Sequence, residues 1–196
     1  MNRSAAVKAG KSKNSAISPA SKRARRRWLF ETGAVLLGTS LLAVGVHLLQ
    51  NVFAPAPVNL SLALLPLFYA PLVAVLMGLP VAALLLALVN PAVNHLLTGL
   101  PAANALPFIT VHATAFTAMM FLLLRTGRIG LRMLSPLVFL ASFYLVAVPF
   151  SALPLPIAAA SEGLPSIWQL LSQTWWGLVV LLLGSFFLDE WPERPA

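Results

Sequence analysis

Apolar residues run nearly unbroken from position 28 to position 188, interrupted by short clusters of proline, glycine and small polar residues rather than by charge. Between Thr32 and Leu188 only Arg125, Arg128, Arg132 and Glu162 are formally charged. A charge at the centre of a membrane helix costs roughly 2.5–3.5 kcal/mol on insertion scales, so a stretch that excludes charge has the pattern of a chain solvated by lipid. The interruptions divide it into six spans. The first covers 28–50 and stops before Ala54-Pro55-Ala56-Pro57, where two prolines withhold backbone donors. The second covers 59–77, with Gly78-Leu79-Pro80 as the break, and the third covers 80–97, closed by Thr98-Gly99-Leu100-Pro101. The fourth covers 107–124, the fifth 134–153 and the sixth 167–188. The pattern predicts an all-α integral membrane protein, a six-transmembrane-helix bundle.

Charge supplies the orientation. Nine Lys/Arg and no acidic residue fall in the first 27 positions, ending in Lys22-Arg23-Ala24-Arg25-Arg26-Arg27. Basic loops stay on the cytoplasmic side, and with six spans the loop that holds Arg125, Arg128 and Arg132 joins the basic tail there. The prediction is N-in/C-in, with 1–27 a disordered basic cytoplasmic tail, 28–190 the transmembrane domain and 191–196 a short cytoplasmic tail. The basic cluster meets anionic lipid, at about 1 kcal/mol per cation near the surface, and this accounts for the net charge of +8 without nucleic acid. Charged residues make up 9% of the chain and mean hydropathy is +0.88, whereas a soluble domain carries about 25% charged residues. There is no cysteine, which excludes disulfides, thiolate metal sites and cysteine nucleophiles.

In this topology the polar side chains within the spans gather toward the external ends, while 119–124 and 177–188 are almost purely apolar. Polar groups in lipid must pair or line a cavity, so the asymmetry implies either a pocket open to the outside or ordinary hydration of helix ends. The candidate substrate-binding residues are His47 on the first span, Asn90, Asn94 and His95 on the third, His112 on the fourth, and Gln173 and Trp175 on the sixth. Each has a structural alternative: the histidines as interhelical hydrogen-bond partners, and Trp168, Trp175 and Trp176 as an interfacial aromatic belt. No His-x₃-His spacing or intramembrane carboxylate supports a metal site, and no cofactor is expected. On the first span Ala34 and Gly38 form a small-x₃-small step, a candidate docking face for a partner helix.

The motifs of membrane enzymes are missing. The chain has no His-Glu-x-x-His, no Gly-x-Ser-x-Gly, no paired intramembrane aspartates and no phosphate-binding Gly-x₄-Gly-Lys loop, so it is not expected to be an enzyme. No Asp or Glu lies within a span, which disfavours a self-powered ion-coupled transporter.

The stretch Leu65-Pro66-Leu67-Phe68-Tyr69-Ala70-Pro71, followed by Asn90-Pro91-Ala92-Val93-Asn94-His95-Leu96-Leu97-Thr98-Gly99-Leu100-Pro101, resembles the substrate-binding S components of energy-coupling factor (ECF) vitamin transporters. The sharpest part is Pro91-x₃-His95 running into Thr98-Gly99-Leu100-Pro101, similar to the turn between the third and fourth helices in one group of S components. The resemblance implies a six-helix bundle that captures a vitamin or similar micronutrient from outside. A transmembrane coupling protein and two ATPase subunits would be its partners, in a bacterial or archaeal plasma membrane. It also implies docking through a small-residue face on the first helix, where Ala34 and Gly38 match the spacing and Leu42 departs from it. The alternative is a structural or scaffold protein of the cell envelope, with its polar external halves serving subunit contact.

Overall fold

The computed structural model of the chain describes residues 19–53, 60–126, 129–152 and 164–187. Among them every regular element is helical: α1 (Pro19–Val52), α2 (Leu60–Leu64), α3 (Tyr69–Leu76), α4 (Pro80–Thr98), α5 (Leu106–Leu124), α6 (Ser135–Ser151) and α7 (Ile167–Phe187), with 3₁₀ turns at Pro66–Phe68, Ala103–Ala105 and Ile129–Leu134. Five helical stretches are long and apolar enough to cross a membrane, Arg25–Val52, Pro80–Thr98, Ala103–Leu124, Gly130–Ser151 and Ile167–Phe187, and a shorter apolar segment covers Leu60–Leu76. By length and composition the chain is a multi-pass membrane protein. The bundle is apolar inside and out, with Leu37, Leu41, Leu96, Leu145 and Phe186 among its exposed surface.

Two elements depart from the sequence expectation. The first helix, Pro19–Val52, takes in 19–27, which the sequence expectation places in the tail. Alanine, lysine and arginine favour helix, so the basic run continues the apolar helix without a break. The remainder of the expected tail, 1–18, and the C-terminal 191–196 lie outside the described residues. The second departure is the span expected over 59–77, which is not one helix but α2, a 3₁₀ turn and α3.

The break falls at Leu65-Pro66. Pro66 has no N–H to continue the α2 ladder, and Leu65 takes a left-handed conformation with φ 52° and ψ 40°. That conformation costs an L-residue roughly 1–2 kcal/mol. The surroundings hold it in place. The Phe68 N–H turns back to the Leu65 carbonyl at 3.1 Å, and the Tyr69 hydroxyl donates to the Leu64 carbonyl that the break leaves over. At the start of α2 the Gln50 side chain accepts from the Leu60 N–H. Helix α7 then closes on the break: a Cβ on Gly177 would lie 2.6 Å from Leu65 Cγ and 2.9 Å from the Leu64 carbonyl carbon, so only glycine fits there. All residues from Leu65 to Met77 are buried, which makes this segment the centre of the bundle.

Helix α3 ends in a Schellman motif, with Gly78 at φ 71°, its N–H on the Val75 carbonyl at 3.0 Å and the Leu79 N–H on the Ala74 carbonyl at 2.8 Å. Pro80 opens α4 directly afterwards. Three contacts give the direction of α4: Asn90 Nδ2 to Ser40 Oγ at 3.4 Å, His47 Nδ1 to Asn94 Oδ1 at 2.9 Å, and Asn51 Nδ2 to the Thr98 carbonyl at 2.7 Å. Residue numbers rise together along both helices, so α1 and α4 are parallel. The chain between them, Leu60–Leu76, therefore runs back from the C-terminal end of α1 to the start of α4. Helices α6 and α7 are antiparallel, joined at one end by Ser135 Oγ to Ser185 Oγ at 2.9 Å.

Candidate functional site

A cavity of about 410 Å³ opens beside the break, at the end of the bundle where α1 and α4 terminate. His47 and Gln50 of α1, Ser61 and Leu62 of α2, and the turn 65–68 form one side of it. Leu100, Pro101, Ala102 and Ala105 cover the end, while Phe108, Ile109 and His112 of α5, Phe139 and Phe143 of α6, and Leu170 of α7 complete the wall. The break forms part of its wall. A continuous helix over 60–76 would carry its side chains round at a regular 100° per residue; the left-handed step at Leu65 instead turns the 3₁₀ segment so that Phe68 packs on the α5–α6 pair.

The polar groups in the wall are held in defined states. Asn94 Nδ2 donates to the Asn90 carbonyl at 3.0 Å, so Asn94 Oδ1 is the acceptor and His47 Nδ1 carries the proton. The other ring nitrogen, Nε2, is then a bare acceptor in the neutral ring. His112 is fixed from the opposite side. Ser142 Oγ donates to the Phe139 carbonyl at 2.9 Å, and His112 Nε2 lies 3.1 Å from that Oγ and 3.3 Å from the same carbonyl. Both neighbours accept, so Nε2 bears the proton and Nδ1 is the acceptor. The His112 ring sits among four phenylalanines, with centroids at 4.8 Å to Phe68, 4.8 Å to Phe139, 5.5 Å to Phe143 and 6.0 Å to Phe108. Ser61 Oγ is buried without a hydrogen-bond partner among the described residues.

Of the residues singled out from sequence, His47 and His112 line the cavity. Asn94 stands behind His47 and orients it, and Asn90 reaches across to Ser40 while its carbonyl receives Asn94. His95 turns instead to the following loop, with Nδ1 2.9 Å from the Pro101 carbonyl, and so holds the turn that covers the cavity end. Gln173 and Trp175 do not line it: both are exposed on α7, with Trp175 stacked on Trp176 at 3.7 Å, while Leu170, Thr174, Gly177, Leu178 and Leu181 form the buried face. Ala34 and Gly38 lie on an open face of α1, where a Cβ at Gly38 would meet nothing within 4 Å.

The aromatic wall was not anticipated. Its signal was present as two four-residue spacings, Phe108 with His112 and Phe139 with Phe143, each placing both rings on one helix face. In a chain this apolar such spacings are frequent, and only the packing of α5 on α6 distinguishes them. Among the described residues no group of three His, Cys, Asp or Glu could hold a metal ion. In comparisons with known proteins, no family model, no curated protein and no solved structure matches this chain.

Proposed function

We propose that the chain is a membrane-embedded binding subunit for uptake of a vitamin-like micronutrient, energised by separate ATPase and coupling subunits in a bacterial or archaeal plasma membrane. The cavity carries this reading: about 410 Å³ lies within the range of about 300–1,000 Å³ typical of small-molecule sites, and its wall is apolar with a few oriented polar groups. A scaffold protein has no need of such a space. A six-span, N-in/C-in topology is supported by the parallel course of α1 and α4, which sends Leu60–Leu76 back across the bundle, and by the basic residues at the start of α1 and in the α5–α6 loop. The cavity end then faces outward. The open Ala34/Gly38 face of α1 is available to a coupling protein.

The test is to purify the full chain from cells grown in rich medium and identify any co-purified small molecule by mass spectrometry. A stoichiometric compound that binds again after removal, with accumulation in cells only when coupling and ATPase subunits are supplied, is the expected result. A chain that retains no molecule and stimulates no uptake with any partner set, or that accumulates substrate alone on a proton or sodium gradient, overturns the reading. Reporter fusions after Arg128 and after Ala196 should report cytoplasm, and one at Ala103 the outside. An external signal at Arg128 removes the six-span topology.

A further inference from the structure

The cavity wall is specific in what it offers and in what it withholds. His47 is held by Asn94 with Nδ1 protonated, and His112 by Ser142 and the Phe139 carbonyl with Nε2 protonated. Each ring thus keeps one acceptor nitrogen that is not engaged by these contacts. Neither ring can exchange its donor for its acceptor without breaking a bond behind it, so the polarity offered to the cavity is set before a ligand arrives. Ser61 Oγ adds a buried hydroxyl that lacks a partner among the described residues. Among the described residues no Asp, Glu, Lys or Arg lines the space. Within this described wall an anion finds no cation and a cation no carboxylate, so either enters with its desolvation uncompensated by it. The remaining wall is apolar, aliphatic along α2, the 100–105 turn and Leu170 and aromatic where Phe68, Phe139 and Phe143 pack edge to face or tilted around His112, a set of ring edges and faces suited to a planar ring.

From this arrangement we infer that the ligand is an uncharged, planar, largely apolar ring that donates hydrogen bonds through N–H or O–H groups, the class of cyclic ureas, cyclic amides, indoles and phenols. The inference rests on the binding-subunit reading and narrows it to a ligand class. Its physical core is that a ligand without donors leaves the two acceptor nitrogens unpaired, whereas a ligand with donors pairs them.

Three probes with the same fused-ring outline separate the possibilities: benzimidazol-2-one, which is neutral with two N–H donors; 2-indanone, in which both N–H groups are CH₂; and 2-aminoindane, which is a cation at neutral pH. Binding is measured on the full chain in lipid nanodiscs by calorimetry or ligand-observed NMR. Benzimidazol-2-one should bind about tenfold or more tightly than 2-indanone, the effect of one to two lost hydrogen bonds, and 2-aminoindane should bind no better than 2-indanone. His112→Phe keeps the aromatic bulk and removes one of the two acceptors, and should narrow the preference by weakening benzimidazol-2-one, with 2-indanone binding as well as before or better because one unpaired acceptor is gone. Equal binding of the two neutral probes to the wild-type chain, or preference for the cation, overturns the inference, and this wild-type comparison stands even where the variant does not fold. A folded His112→Phe chain that keeps the full preference overturns it as well. If no probe binds while a co-purified molecule is found, the donor-ligand inference fails and the binding-subunit reading survives. If no probe binds and no molecule co-purifies, both fail.

Discussion

Along the α1–α4 contact, polar side chains meet at three successive levels: Ser40 with Asn90, His47 with Asn94, and Asn51 with the Thr98 carbonyl. Where α7 crosses the broken segment, the contact is made by the bare backbone of Gly177 against Leu64 and Leu65. In lipid, apolar side chains gain little by leaving the solvent for one another, so helices associate through close van der Waals packing or through polar bonds between them. This molecule uses one device at each contact. The polar device tolerates adjustment, because side chains can lean toward one another. The packing device does not, because a missing Cβ has no give.

Substitutions can set the two contacts against each other. The largest effect is expected at Gly177. Gly177→Ala puts a methyl 2.6 Å from Leu65 Cγ and should cost about 1–3 kcal/mol of stability as overpacking, read as a lowered melting temperature in detergent. Gly184→Ala on the same helix, where a Cβ meets nothing within 4 Å, should be neutral or stabilising by up to about 1 kcal/mol. Equal melting of the two variants would mean that α7 moves away from the break at no cost, and the contrast between the contacts would be lost.

At the polar contact, Asn94→Leu removes the partner of His47 and should cost about 0.6 kcal/mol, and up to about 1.7 kcal/mol. The variant should also weaken binding of benzimidazol-2-one beyond its effect on melting, because His47 loses its fixed tautomer. A loss of binding that merely tracks the loss of stability would make Asn94 a packing residue alone. The smallest effect belongs to Asn51→Ala. Its bond to the Thr98 carbonyl is exposed, and water replaces it, so melting should change by no more than about 0.5 kcal/mol. A larger drop would show that the end of the α1–α4 contact is tighter than its exposure implies.

Much of the helical layout was readable from local chemistry. Gly78-Leu79-Pro80 marked a break because glycine accepts positive φ and proline opens a helix, and the structure has a Schellman motif followed by the first turn of α4. The ends predicted for the last two spans, 134–153 and 167–188, fall close to Ser135–Ser151, which carries Pro136 in its first turn, and Ile167–Phe187. The expected span 59–77 runs through Leu65-Pro66, although Pro66 lacks the N–H that a continuous helix needs. A proline disfavours the α conformation in the residue before it, but an isolated leucine does not choose the left-handed alternative. That choice is stabilised by Tyr69, by the Phe68 N–H and by the space that Gly177 leaves on another helix.

The candidate site divides along the same line. His47 and His112 stood out as polar residues in lipid-depth sequence, where such groups must find a partner or a cavity. Their chemistry was not legible, because which nitrogen carries the proton depends on Asn94 and Ser142, 47 and 30 residues away in the chain. Gln173 and Trp175 looked equivalent to them by composition, yet the rotation of α7 turns Thr174 and Gly177 inward and leaves both exposed.

What the sequence determined by itself is the apolar, helical, multi-pass character and most of the punctuation between helical stretches, since exclusion of charge, missing N–H groups and positive φ are properties of one residue or its immediate neighbours. What only the tertiary structure decided is where the broken segment lies, which faces turn inward, and which atoms the cavity presents. Each of those is the outcome of contacts between residues far apart in the chain, and a helix that is apolar on every side carries no amphipathic stripe to announce them.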